Sequence, residues 1–66
     1  MKNPIEFELE NGKYICIDVD CVQIIEEYDN NSTLIVYTIV YEIYYCCVKG
    51  SYQEIFEYIA NYERND

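Results

Sequence analysis

The 66-residue chain predicts an α+β fold, an antiparallel β-sheet of four or five strands with one C-terminal α-helix packed on it. Three observations carry this. Alternating or β-branched and aromatic residues fill most of positions 5–48, the mark of strands. Polar turn signals interrupt them at Asn11-Gly12 and at Asp29-Asn30-Asn31-Ser32. After Gly50 the apolar spacing changes to that of a helix. The length allows one small domain over 1–66, and a domain of this size buries only about 60% of its unfolded surface. A hydrophobic content of 52% favours folding over disorder.

The first strand is predicted at 5–10, where Ile5-Glu6-Phe7-Glu8-Leu9 alternates with period two, and the second at 14–19. A strict two-residue Asn-Gly loop would pair Phe7 with Cys16 and mix the two faces. A three-residue loop, Glu10-Asn11-Gly12 with Gly12 left-handed, pairs Phe7 with Ile15 and Ile5 with Ile17. That register keeps the apolar face whole. It also gathers Glu6, Glu8, Asp18 and Asp20 on one wet face, with Glu10 at the turn. A third strand is expected at 22–28.

Residues 33–48 hold strand formers throughout, without Gly, Pro, Asn or Asp to mark a turn. As one strand they would span about 53 Å, too long for so small a domain. A hairpin with strands at 33–39 and 42–48 and its tip near Ile39-Val40-Tyr41-Glu42 is one solution. A single long strand paired with a second copy is the other. Either way the segment predicts self-association, with Tyr37, Ile39, Val40, Tyr41 and Tyr45 as contacts of a homodimer. Ser51 followed by Glu54 is a capping-box pattern and opens the helix, expected at 52–63. Tyr52, Ile55, Phe56, Ile59 and Tyr62 or Glu63 form its apolar stripe.

Thirteen acidic residues against four basic ones, with no histidine, give a formal charge of −9. Four cations cannot make a phosphate-binding patch, so direct nucleic-acid binding is not expected. Without His, acid–base catalysis would fall to carboxylates and nucleophilic catalysis to a thiol without its usual base, so no enzyme is expected. No cofactor is expected either. Cys16, Cys21, Cys46 and Cys47 depart from zinc-site spacings, and neighbours in a strand point to opposite faces. Asp18-Val19-Asp20 begins like a calcium loop, but Val22 stands where a third ligand belongs. No run approaches the roughly 20 apolar residues of a membrane span, and no signal-peptide core opens the chain. A cytoplasmic location with reduced thiols is expected, the host cytoplasm if the protein is viral.

The acidic residues are the positive signal. Glu6, Glu8 and Glu10 repeat every second residue, about 7 Å apart along a strand. Asp18 and Asp20 add a second row, and Glu26, Glu27 and Asp29 continue the charge. Such an array resembles a nucleic-acid backbone in charge density and would be steered toward a Lys/Arg-lined groove. The expected partner is a host protein with a basic surface. The competing reading is a solvated face that keeps a small protein soluble.

The order of elements resembles the small FlbD-type family of flagellar operons. The matching stretches are Leu9-Glu10-Asn11-Gly12-Lys13, Ile15-Cys16-Ile17-Asp18, Val22-Gln23-Ile24-Ile25-Glu26 and Ser51-Tyr52-Gln53-Glu54-Ile55. The resemblance implies a fold of hairpins and a terminal helix. It departs at the second turn, where Ile39-Val40-Tyr41 replaces an Asn-Gly-type turn, and in charge. In size and acidity the chain also resembles viral and plasmid inhibitors of host nucleic-acid machinery, the anti-CRISPR and anti-restriction class. That resemblance implies an anti-defence inhibitor acting as a nucleic-acid mimic. A small adaptor working through the Tyr-rich segment is the alternative.

Overall fold

The computed structural model describes residues 3–64. Its elements are β1 (Pro4–Glu8), β2 (Tyr14–Asp18), a 3-10 turn (Val19–Cys21), β3 (Val22–Asp29), β4 (Ser32–Ile39), β5 (Glu42–Lys49) and α1 (Tyr52–Arg64). The α+β expectation holds, with all five strands antiparallel. They form two sheets rather than one: β1-β2, and a three-stranded sheet in the order β3-β4-β5. Among the described residues an isolated backbone bridge, Leu9 to Val48, joins them.

The β1-β2 register is the one that keeps the apolar face whole, with Ile5 opposite Ile17 and Phe7 opposite Ile15. Gly12 makes it possible. At φ 87° it takes the left-handed conformation, while its N–H donates to the Leu9 carbonyl at 3.0 Å and the Leu9 N–H donates to the Lys13 carbonyl at 2.7 Å. β2 stops one residue before the predicted end. There the Asp18 Oδ1 accepts from the Asp20 N–H at 3.1 Å and caps the 3-10 turn.

β4 and β5 pair along all eight residues, from Ser32–Lys49 to Ile39–Glu42. Residues 33–48 therefore turn as a hairpin, and the turn itself is only Val40-Tyr41. Both residues lie at positive φ, 47° and 70°. Asn and Gly dominate two-residue turns of this kind because they enter that region at little steric penalty. A β-branched Val and a Tyr enter it against their side chains, at on the order of 1–3 kcal/mol each.

The core lies on one face of the larger sheet. Ile35, Tyr37 and Val48 meet Ile5, Phe7 and Ile17 from the hairpin, Val19 from the 3-10 turn and Ile55 from the helix. The helix is fixed at both ends. Ser51 and Glu54 form the expected capping box: the Ser51 N–H donates to Glu54 Oε1 at 2.9 Å, and the Glu54 N–H donates to Ser51 Oγ at 3.2 Å. Further along, the Tyr58 and Tyr62 hydroxyls donate to the carbonyls of Glu6 and Pro4 at 2.7 and 2.6 Å. These bonds tie α1 to β1, and the Phe7 and Tyr58 rings meet edge to face at 5.6 Å.

Candidate functional site

The structure offers two candidate contact surfaces, one acidic and one apolar. The acidic one begins on β1-β2. Alternation puts Glu6 and Glu8 on the face opposite Ile5 and Phe7. The register sets Cys16 across from Glu6, Tyr14 across from Glu8 and Asp18 across from Pro4. Glu6, Glu8 and Asp18 therefore share the outer face of this hairpin, as expected. Glu10 stands exposed in the turn. Asp20 does not extend the row, because it sits in the 3-10 turn, exposed beside it.

The remaining acids scatter. Glu26 pairs with Leu34 and faces outward on the three-stranded sheet, away from the core side occupied by Ile25 and Ile35. Glu27 is exposed near the start of α1, lining a cleft with Ser51, Tyr52 and Gln53. Asp29 organises the β3-β4 turn: its Oδ1 accepts from the Asn31 N–H at 2.8 Å and the Ser32 hydroxyl at 2.7 Å. Those two bonds, the Ser32 hydroxyl first, hold its carboxyl below the usual aspartate range. Asp29 thus has a structural task, as has the Asp18 cap. Glu8 is partly neutralised by Lys49, whose Nζ lies 3.1 Å from its Oε2. Glu10, Asp29 and Lys49 line a cleft of about 400 Å3 with Asn31 and Ser32.

The apolar surface is the outer face and tip of the β4-β5 hairpin. Tyr41 is fully exposed at 101%, Val40 at 83% and Tyr45 at 75%, and Ile39 is half exposed. Tyr37 does not belong with them. It is 8% exposed, shares the inner face with Ile35 and stacks on Tyr44 at 5.7 Å. Burial pushes its phenol up, with Cys46 and Tyr44 adding to the effect. Ile43, absent from the predicted contacts, belongs to this surface instead, being 71% exposed and two residues from Tyr45 on the same face. Ile24, across Val36 from Tyr45, extends this face at 51% exposure. Period-two counting outward from Tyr45 reaches Ile43, a signal present in the sequence. Ile24 could not be placed so, because a register shift between Val22 and Ile24 interrupts the alternation of β3.

Glu42 is held beside the tip, accepting from the Tyr44 hydroxyl at 2.7 Å. That bond, more than burial, raises the Tyr44 phenol. All four cysteines are free thiols. Burial pushes both Cys46 and Cys47 up, so neither is an activated thiolate. Among the described residues no group of three or more Cys, Asp or Glu is placed to hold a metal ion. No helix among them is long and apolar enough to cross a membrane.

Neither protein-family models, nor curated proteins, nor solved structures include a match to the chain. The likeness to the FlbD-type family therefore rests on the residues that carry it.

Proposed function

We propose that the protein is a non-catalytic inhibitor whose acidic surface occupies a Lys/Arg-lined nucleic-acid channel of another protein, in the place of phosphates. A viral or mobile-element anti-defence role, with a host protein as the target, fits this chemistry. The observation that carries the reading is the shared outward face of Glu6, Glu8 and Asp18, flanked by exposed Glu10 and Asp20. Between described side chains one ion pair, Glu8 with Lys49, offsets this charge. A sheet fixes the backbone spacing of such carboxylates, so a basic groove meets them with no backbone left to order.

Glu6, Glu10 and Asp20 are the residues to reverse, because Glu8 and Asp18 also serve the fold. Immobilised protein should retain a nucleic-acid-binding protein from a host lysate at low salt, and added duplex DNA or RNA should displace it. Glu6→Lys/Glu10→Lys/Asp20→Lys should abolish retention while the thermal unfolding transition persists. Retention that survives the reversal, or that ignores salt, would sink the mimic reading.

A second reading is favoured by the exposure of Val40 and Tyr41: an adaptor that inserts this tip into an apolar pocket of its partner. A fully exposed aromatic at a turn is the kind of anchor that dominates small interfaces. In the same retention assay Tyr41→Asp would then break binding, and the charge reversals would leave it intact.

A further inference from the structure

We propose that the chain forms a domain-swapped homodimer in which the Val40-Tyr41 turn opens and the segment after it, β5 and α1, is exchanged between two copies. The inference goes beyond the proposed inhibitory role and does not depend on it.

The turn is where the observations converge. Val40 and Tyr41 hold positive φ values of 47° and 70°, in a two-residue turn that Asn and Gly would occupy with far less strain. Strain of this kind persists where surrounding contacts enforce it. Here the contacts are sparse: both side chains point into solvent, and among the described residues neither makes a side-chain hydrogen bond. What holds the turn closed is the ladder on either side of it, Ser32–Lys49 through Ile39–Glu42. That ladder does not require both strands to come from one chain. Short hinge loops under strain invite this exchange.

Opening the turn releases both residues to extended backbone, which Val and Tyr favour. The register then continues without a break. Ile39 lies opposite Glu42 in the hairpin. With the same offset between chains, Val40 faces Tyr41 of the partner subunit, and Tyr41 faces the partner's Val40. Two unpaired residues per chain gain a ladder partner and an apolar cross-strand neighbour. The merged strand, residues 32–49, would run about 59 Å at roughly 3.3 Å per residue. One copy measures 29 Å along its longest axis and cannot hold such a strand; two copies side by side can.

Exchange re-forms the core rather than replacing it. Val48 and Ile55 follow the hinge, whereas Ile5, Phe7, Ile17, Ile35 and Tyr37 precede it. Each core of the dimer would therefore combine both chains. The Tyr58–Glu6 and Tyr62–Pro4 hydrogen bonds would become contacts between subunits. Charge favours this crossing point. Each chain carries −9, yet Glu42 is the only charged residue in 33–48, and Tyr44 holds its carboxylate. Two copies meet there with the least repulsion.

The test uses the pairing of Leu34 with Cys47. In a chain with Cys16, Cys21 and Cys46 changed to Ala, Leu34→Cys places two thiols opposite each other across β4 and β5. After refolding at high concentration and oxidation, the swapped dimer gives a covalent dimer on a non-reducing denaturing gel. The closed hairpin gives an internally bridged monomer. Light scattering of the unaltered chain reports the oligomer itself. Val40→Asn/Tyr41→Gly removes the strain and should raise the concentration at the monomer–dimer midpoint by about a thousandfold or more, at least about thirtyfold for each of the two turns that the dimer opens. In that background the Leu34→Cys bridge should close within one chain. The proposal is overturned by a monomer at all concentrations, by a dimer whose bridge forms inside each chain, or by covalent dimers that persist with the Asn-Gly turn.

Discussion

At the residue scale, alternation decides what each side chain does. Thr33, Ile35 and Tyr37 fall on the inner face of β4, and all three are buried. Thr33 reaches the core with a hydroxyl that donates to the Gly50 carbonyl at 2.9 Å. That bond fastens the end of β5 to the strand beside it, just where the chain leaves the sheet for the helix. Replacing Thr33 by Val keeps the shape and removes the donor, so the Gly50 carbonyl loses its partner. Thr33→Val should lower unfolding stability by about 1 kcal/mol, seen as a lower urea midpoint with an unchanged slope. Tyr37 shows why a residue list read from composition overshoots. Its place in a Tyr-rich stretch assigns it to the self-association contacts, but it sits two residues from Ile35 and turns inward with it. The acids divide in the same way. Glu6 and Glu10 stay exposed, whereas Asp18 and Asp29 are drawn into a cap and a turn by backbone N–H groups two residues ahead. Asn-rich and Asp-rich turns carry that hint in sequence, but a carboxylate with a structural bond looks the same as a free one until the turn is seen.

Among the elements, those with local signals were legible and those joined by distant contacts were not. The β1-β2 register follows from one left-handed Gly12 and the demand that Phe7 and Ile15 face the same way. The helix start follows from Ser51 and Glu54. The β4-β5 turn could be placed only by halving a run too long for the molecule, because Val40 and Tyr41 carry no turn signal. The division into two sheets depends on the first hairpin meeting β5 by the Leu9–Val48 bridge rather than by a ladder, a contact nearly forty residues apart that no local pattern encodes. The helix cap also carries a pH signature. Hydrogen bonds from Ser51, the backbone N–H first, hold the Glu54 carboxyl below its usual value of 4.5. A depressed carboxyl stabilises the fold above the unfolded pKa and loses that contribution as pH falls through the folded one. Ser51→Ala should therefore destabilise the protein by about 1 kcal/mol at neutral pH. The backbone N–H bond to Glu54 is common to both proteins, so in paired thermal melts the gap to the parent should narrow only in part below about pH 4.5, by the share of the carboxylate's stabilisation that the Ser51 side chain supplies. A gap that widens in acid would contradict the capping-box account.

For the whole molecule, the charge of −9 is a cost to the folded state whatever its use, because folding concentrates it within axes of 29, 27 and 20 Å. Two electrostatic effects then oppose each other as salt is added. Screening weakens the Glu8–Lys49 pair, which is half exposed on the Lys side and contributes at most about 1 kcal/mol. It also weakens repulsion among thirteen carboxylates, which four basic residues face in the whole chain. The Debye length falls from about 10 Å at 0.1 M to about 3 Å at 1 M, so it passes through the spacings within one face of the protein. Repulsion has many more pairs to lose than attraction has, and its relief wins. The melting temperature should rise steadily with sodium chloride up to about 1 M. Neutralising Glu6, Glu10 and Asp20 as Gln, Gln and Asn should raise it at low salt and flatten the response. Light scattering in the same series separates the two ways salt can help. If the rise comes from dimer formation, it will grow with protein concentration and vanish with the Asn-Gly turn. If it comes from relief within each chain, it will survive both changes. A melting temperature that falls with salt would mean that the acids are held by attractive partners in the fold, and the acidic surface would lose its claim to be free for another protein.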